Sequence, residues 1–336
     1  MNKIKAVSLI SGGLDSTLAT KIIVDLGIEV LAINFLSPFC LCNRRGGCKY
    51  EAGEVSGKLG IPLKTVAVHE DFLKMVKSPK HGYGSNLNPC IDCRIMMLKK
   101  AKEYMESIGA SFVITGEVLG QRPMSQNRHS LDLIEKESGL SGLILRPLSA
   151  QLLAETIPEK MGWVNRQALL DISGRGRRPQ MTLIKEFGIN DYPCPSGGCL
   201  LTDPAFSQRA RDLIKHGDFN LHNIELLKLG RHFRFSPDDK LIVGRNEEEN
   251  NALERLAKDT DLVFAPAKVN GPIGLGVGKG FDDYDFINLA SSIISRYCDR
   301  NGNLKVAIQY GRGSFKDGLS VDALPAEEAK IKALII

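Results

Sequence analysis

The chain has 336 residues, 43% hydrophobic and 25% charged, the balance of an ordinary globular protein with the length of two domains. No apolar run reaches the roughly 18 residues a membrane span needs, and the N-terminus lacks the apolar core and cleavage site of a secretory signal, so the expected location is the cytoplasm. The net charge of +5 is uneven: residues 1–180 hold 24 Lys and Arg against 17 Asp and Glu, and residues 181–336 hold 20 against 22, so a polyanionic partner fits the first half better.

Apolar β-type runs at 5–10, 30–35, 63–68 and 112–115, with a short fifth at 143–145, read as strands. Helical patterns at 16–26, 49–59 and 90–108 separate them. In the last, Ile91, Ile95, Leu98, Met105 and Ile108 fall near a helical period, with Lys99, Lys100 and Lys102 on the other side. Strand–helix alternation with unbroken apolar strands predicts an α/β domain, its parallel sheet covered on both faces and its ligands at the carboxyl ends of the strands. Residues 172–181, ISGRGRRPQM, form a polar break, and a second pattern begins near Cys199. Short strands at 231–235, 240–243 and 261–265, helices at 247–258 and 282–297, and a strand at 304–310 predict a smaller α+β domain. The expected division is a nucleotide-binding catalytic domain over 1–180, a cysteine-bearing connector over 181–205 and an accessory domain over 206–336.

Ser11-Gly12-Gly13-Leu14-Asp15-Ser16 follows the first strand and opens a helix. Glycines let the backbone turn sharply and present its N–H groups to an anion, and a helix N-terminus adds donors and a positive dipole end. No lysine follows the glycines, so this is not the mononucleotide loop G-x-x-x-x-G-K-[ST]. The bland alternative is a turn capped by Asp15 or Ser16. The six residues match SGG-x-DS, and the first domain thereby resembles the PP-loop ATP pyrophosphatases. That resemblance implies a Rossmann-like, adenine-nucleotide alpha-hydrolase-like fold, with ATP pyrophosphate held by Ser11, Gly12, Gly13 and Ser16, and Mg²⁺ bound or positioned by Asp15.

Residues 113–149 resemble the tRNA 4-thiouridine synthetases through Thr115, Gly116, Glu117, Leu119, Gly120, Gln121, Ser125 and Gln126, then Arg146, Pro147 and Leu148. The resemblance covers roughly residues 5–205 and implies that Gly116 and Gln121 line the adenylate pocket. Those synthetases carry an RNA-binding region ahead of the loop, whereas here the loop begins at residue 11.

Seven of the eight cysteines are clustered, and in a reducing compartment such clusters bind metal or do sulfur chemistry. Cys90-x-x-Cys93 starts a helix, where the dipole and Arg94 are expected to favour thiolates. Cys194 and Cys199 sit in YPCPSGGCLLTDP; the end of that stretch resembles the G-x-C segment of the tRNA 2-thiouridylases, and Cys90 replaces the aspartate of their N-P-D-x-x-C segment. The resemblance implies a [4Fe-4S] cluster on Cys90, Cys93 and Cys199, with Cys194 as either a substitute ligand or a persulfide carrier; the catalytic sulfur is then sulfide on the cluster or a persulfide on Cys194 or Cys199. A four-cysteine zinc site and a metal-free persulfide relay remain open. Cys40, Cys42 and Cys48 follow the second strand among Arg44, Arg45 and Lys49. They could take a fourth metal ligand from elsewhere, feed sulfur to the pocket, contact phosphates through the neighbouring arginines, form a loop disulfide or stay exposed. Arg175, Arg177 and Arg178 suit either RNA phosphates or a solvated linker. His81, His129 and Cys298 have no motif partner and read as surface or core residues.

The expected function is an ATP-dependent tRNA sulfurtransferase that adenylates a uridine carbonyl oxygen and replaces it with sulfur. The donor would be a cysteine desulfurase or free sulfide. The alternatives are a PP-loop enzyme that adenylates and thiolates or amidates a small molecule, and a cysteine-rich sulfur carrier or metal-trafficking protein with a regulatory ATP site; assembly as a homo-oligomer is left open beside each. The second domain weakly resembles an RNA-associated module of the NFACT type, although its negative charge opposes a strong electrostatic grip on RNA.

Overall fold

The computed structural model describes residues 4–40, 48–189, 198–300, 302–313 and 318–336. The chain divides into two compact units, Met1–Asp203 and Pro204–Ile336. In chain order the first holds β1 (Lys5–Leu9), α1 (Leu14–Asp25), β2 (Glu29–Leu36), α2 (Cys48–Lys58), β3 (Leu63–Ala67), α3 (His69–Lys77), α4 (Cys90–Ser107), β4 (Phe112–Ile114), α5 (Arg128–Ser138), β5 (Ile144–Leu145), α6 (Ile157–Lys160) and α7 (Arg178–Glu186).

The five strands run parallel in the order β3-β2-β1-β4-β5. Side chains along a strand alternate between faces. Ala6, Phe112 and Ile114 accordingly pack against α1 and α7 through Leu18, Ile22 and Ile184. Val7 and Val113 pack against Leu98 and Ala101 of α4 and Ile134 of α5. Both faces are buried, which is why these strands read as continuous apolar runs. The chain winds outward through β2 and β3, then returns to pair β4 with the other side of β1. That reversal leaves a crevice at the carboxyl ends of β1 and β4.

The polar break at 172–181 lies inside this unit. Ile172 N–H donates to the Leu148 carbonyl (2.8 Å) and Gly174 N–H to the Leu119 carbonyl (2.7 Å). Helix α7 then starts within it, with proline in its first turn, where no amide bond is lost.

The second unit holds α8 (Pro204–Lys215), α9 (Leu221–Leu227), β6 (Arg231–Arg234), β7 (Lys240–Val243), α10 (Glu247–Leu256), β8 (Leu262–Pro266), β9 (Gly274–Val277), α11 (Tyr284–Arg296), β10 (Val306–Arg312), β11 (Leu319–Ala323) and α12 (Glu328–Leu334). Its strands form one antiparallel sheet, β11-β10-β8-β9-β7-β6. Sequence patterning missed β9 because two of its four residues are glycine. A Cβ on Gly274 would stand 2.5 Å from Ile294 Cδ1, and one on Gly276 2.8 Å from the Phe281 ring. The glycines let α11 and Phe281 lie close on the sheet. Among the described residues no helix is long and apolar enough to cross a membrane.

His232 on β6 is 1% exposed, and its Nε2 bonds the Leu229 carbonyl at 2.8 Å. Burial, reinforced by Arg209 and Lys240, holds its pKa well below the usual histidine value. The folded state therefore refuses a proton that the unfolded state accepts below about pH 6.5. Stability is complete above that pH and falls as the pH drops, by up to about 1.4 kcal/mol per pH unit for this group. Urea denaturation between pH 7 and pH 5 should show this slope, and His232→Gln should flatten it.

Candidate functional site

Helix α1 begins at the sheet's carboxyl edge, directly after β1. Its N-cap is Gly13, and no side chain caps it. Asp15 and Ser16 are thus not spent on capping. Ser16 Oγ donates to the Gly13 carbonyl (2.9 Å) and accepts from the Ser11 amide (3.3 Å), which closes the turn around its own backbone. Gly12 has φ +79°, and a Cβ there would meet Glu51 Cβ at 2.6 Å. This turn requires glycine both for its conformation and for the approach of α2.

The loop after β4 comes up against this turn. A Cβ on Gly116 would stand 2.4 Å from the Ser16 amide nitrogen and 2.6 Å from the Asp15 carbonyl carbon. From the same loop, Gln121 Nε2 donates to Asp15 Oδ2 at 3.1 Å. Asp15 Oδ1 is buried and has no hydrogen-bond partner among the described residues. Burial pushes the Asp15 carboxyl up, against the lowering pull of Gln121, Arg177, Gln180 and Arg122.

Next to Gly116, Glu117 is 1% exposed. It accepts from Arg146 Nε (3.1 Å) and Thr115 Oγ1 (3.2 Å) and faces Arg94 Nε at 3.6 Å. Burial alone would raise its pKa, but Arg146 and Arg94 hold it below the usual value. The pair with Arg94 anchors the first turn of α4, which carries Cys90 and Cys93 on one helical face.

Cys199 arrives from far along the chain. Leu200 N–H donates to the Phe39 carbonyl (2.8 Å), Leu87 N–H to the Leu201 carbonyl (3.1 Å), and Asn86 Nδ2 to the Thr202 carbonyl (2.8 Å). These bonds seat 199–202 between the loop after β2 and the approach to α4. The result is one cavity of about 250 Å³, lined among others by Ser11, Gly13, Asp15, Ser16, Gly116, Gln121, Cys90, Cys93 and Cys199. Gly12 packs beneath it on α2 rather than lining it.

The expectation of thiolates at the start of α4 is overturned. Burial pushes the Cys93 thiol up to about 12 and the Cys199 thiol to about 11, and raises Cys90 too; Arg94 and Arg122 only partly offset this. Desolvation of the charged form outweighs the helix dipole. Among the described residues no three His, Cys, Asp or Glu side chains stand together as a formed metal site. Cys194, Cys42 and the Cys48 side chain lie outside the described residues. Cys40 lines the cavity and is disulfide-bonded, while Cys298 is buried in the second unit.

Sequence reading missed Arg122 and left Arg177 undecided. Both line the cavity together with Arg94. Burial and its two arginine neighbours lower the Arg122 pKa. The signal for Arg122 was its place directly after Gln121, where the backbone had already been assigned to the pocket. Arg175 and Arg178 are not among the cavity-lining residues. His81 Nε2 lies 3.2 Å from Glu137, both side chains being partly buried.

Residues 2–155 match the family model described as "Thiamine biosynthesis protein (ThiI)", and residues 230–333 match "NFACT protein RNA binding domain". The resemblance to the PP-loop sulfurtransferases holds. A "probable tRNA sulfurtransferase" of Lysinibacillus sphaericus is 34% identical over 145 residues, covering 43% of this chain and 34% of the relative. Among solved structures, a 4-thiouridine synthetase–RNA complex with bound ATP aligns at 22% identity with a TM-score of 0.36, covering 66% of this chain and 52% of the other. The U34-tRNA thiolase NcsA of Methanococcus maripaludis with its [4Fe-4S] cluster aligns at 17% identity and a TM-score of 0.33, covering 68% and 74%. The chain spans about a third of the length of the curated relatives it matches.

Two outcomes follow from this geometry. Gly116→Ala should lose about 1–3 kcal/mol by overpacking. Gly53→Ala, where nothing lies within 4 Å, should gain roughly 0.5–1 kcal/mol; urea denaturation compares the two. In the reduced, metal-free chain, alkylation of Cys93 and Cys199 by iodoacetamide should be slow near neutral pH. Mass spectrometry should record it rising roughly tenfold per pH unit toward their pKa values.

Proposed function

We propose that the chain is an ATP-dependent sulfurtransferase that adenylates a uridine carbonyl oxygen of tRNA and replaces that oxygen with sulfur. One observation carries the reading: an uncapped helix N-terminus, an acidic side chain with an unpartnered oxygen and three thiols line a single cavity. An anion-binding turn beside thiols suits a reaction in which a phosphorylated carbonyl meets a sulfur nucleophile.

The amides around Gly13, with Ser11 and Ser16, would hold the pyrophosphate of ATP, and Gly12 would shape the turn from beneath. Asp15 is the residue for Mg²⁺, and its buried, unpartnered Oδ1 fits that ion. When bound, the ion would neutralise charge on the departing pyrophosphate. Gln121 keeps the other Asp15 oxygen in place, and with Gly116 it borders the adenylate pocket. Arg94, Arg122 and Arg177, which line the same cavity, would offset phosphate charge. The uridine oxygen attacks the α-phosphorus and pyrophosphate leaves. A sulfur nucleophile then adds to the activated carbon, and AMP departs with the oxygen. Holding both reactants in one cavity supplies the orientation term.

Cys90, Cys93 and Cys199 would hold a [4Fe-4S] cluster, with zinc as the alternative; thiols are soft ligands that suit either, and the three line one cavity without standing together, among the described residues, as a formed metal site. Such a centre would supply a thiophilic site for free sulfide, whereas a cysteine desulfurase would deliver its sulfur as a persulfide on a cysteine. Loading it requires the three raised thiols to release protons. Cys199 also stands, with Cys194, as the sulfur carrier if the reaction runs by persulfide. The match of residues 230–333 to an RNA-binding family model supports a tRNA substrate and an RNA-contacting role for the second unit. A reaction on tRNA with reduced thiols belongs to the cytoplasm.

Anaerobically purified protein, unmodified tRNA, MgATP and sulfide should yield thiolated nucleoside and AMP in equal amounts, read by mass spectrometry. Asp15→Asn should cut turnover at least about 100-fold. Cys199→Ser should abolish thiolation while pyrophosphate release persists. AMP formation without any sulfur entering tRNA would turn the reading toward a small-molecule substrate.

A further inference from the structure

The function proposed above uses Arg177 but gives its chain neighbours Arg175 and Arg178 no role. The segment that carries them is pinned to the loop after β4. Leu119 and Ser173 form a parallel bridge, and Gly174 N–H donates to the Leu119 carbonyl at 2.7 Å. The buried Ser149 hydroxyl accepts from the Leu119 amide (3.0 Å) and donates to the Ile172 carbonyl (2.6 Å), so it clamps both sides of that contact. Leu119 lies two residues before Gln121, which bonds Asp15. Past Gly174 the chain enters α7 with Arg177 as its N-cap. Arg177 lines the cavity, and Arg175 and Arg178 stand within two residues of it. The loop that supplies one cavity wall thus also fixes these arginines beside it.

Their charge is unanswered. Arg175 and Arg178 are exposed, and among the described residues their guanidinium groups make no hydrogen bond or ion pair. No residue from Ile172 to Met181 is acidic. No side chain caps the start of α7, so the positive end of the helix adds to the arginines. Further in, burial, Arg94 and Arg177 lower the Arg122 pKa, a sign that cations already crowd one another there. Like charges held together repel, and an anion relieves that repulsion. The inner cations line the cavity, where the function above puts the phosphates of ATP. The outer pair is open to solvent and suits a second anion.

We propose that Arg175 and Arg178 are a docking point for the sugar–phosphate backbone of the tRNA, holding phosphates next to the nucleotide whose base enters the cavity. A planar guanidinium fork takes a phosphate through two parallel N–H bonds. Such contacts set register and orientation and carry no sequence information. A polynucleotide fits better than a small anion, because the two exposed arginines flank a third that lines the cavity and so offer separate charges to successive phosphates. Pinning the segment to the loop after β4 also lowers the ordering cost of binding. The inference rests on the tRNA reading above and adds where the first unit holds the RNA.

Fluorescence anisotropy of labelled, unmodified tRNA titrated with the full chain, between about 50 and 200 mM KCl, tests this. For the wild type the logarithm of the association constant should fall linearly with the logarithm of salt concentration. Replacing both residues, Arg175→Gln with Arg178→Gln, should weaken binding at least about fivefold at the lowest salt and reduce the slope by about 2, one for each lost contact. Arg175→Lys with Arg178→Lys should keep most of the slope, because counterion release counts charges. Lys185→Gln removes the same charge from the far end of α7 and should match the wild type. A double glutamine variant that is folded by thermal melt and keeps the wild-type slope overturns the proposal. So does a Lys185→Gln slope that drops as far as one arginine should, since net charge alone then accounts for the loss. Should the double glutamine variant fail to fold, each single glutamine variant is expected to lose about one unit of slope, and no loss in either overturns the proposal. A wild-type chain that binds no tRNA at any of these salt concentrations rejects the tRNA reading itself, and the docking point with it.

Discussion

The first unit depends on one close backbone approach. Gly116, just past β4, lies against the first turn of α1, just past β1, where a Cβ would stand 2.4 Å from the Ser16 amide. Parallel pairing of β1 with β4 brings both loops to the same sheet edge, but only a glycine lets them touch. With the loops in contact, Gln121 reaches Asp15, and the two walls of the crevice become one surface. The uncapped start of α1 then faces a cavity instead of open solvent.

A buried charge network holds the second wall. Glu117 is nearly inaccessible, and two arginines compensate it: Arg146 on the β5 side and Arg94 on α4. Arg146 also reaches Glu135 of α5 (3.0 Å), so one guanidinium joins three elements. Burying such charges costs several kcal/mol per ion before pairing, and removing one partner leaves the remainder unsatisfied. What the network supplies is position: it fixes the end of α4 that carries Cys90 and Cys93 relative to the loop that carries Gly116.

The parts of the fold that alternate in hydrophobicity were legible. All five strands of the first sheet were legible as apolar runs, and α1, α2 and α4 as helical patterns; α3, directly after β3, was not read. β9 was hidden because its glycines serve neighbours, Ile294 and Phe281, that only the tertiary structure reveals. The break at 172–181 misled because its polarity is local, while its amides are stitched to residues 119 and 148. In the site, the glycine loop was legible because its spacing encodes a backbone shape. The meeting of Cys199 with Cys90 and Cys93 was legible only as resemblance, since the bonds that seat it run between residues more than a hundred positions apart. The protonation of the thiols was read with the wrong sign, because a sequence displays Arg94 and the helix start but not the burial that outweighs them.

That burial gives the thiols and the anion turn opposite characters within one cavity. The turn is built of fixed donors that need no titration, so it is ready for phosphate at any ordinary pH. The thiols are protonated when nothing is bound, and a thiol of high pKa is both a poor metal ligand and a slow nucleophile until its proton leaves. Arg122 lowers the cost of that ionisation at Cys90, Cys93 and Cys199 and also acts on Asp15. A negative group on either side of the cavity therefore competes for the same cation. Charge arriving at the turn weakens the arginine's support for thiolates. The three thiols stay above the usual cysteine value even with these arginines beside them, so ionising them takes more than the charges already lining the cavity supply.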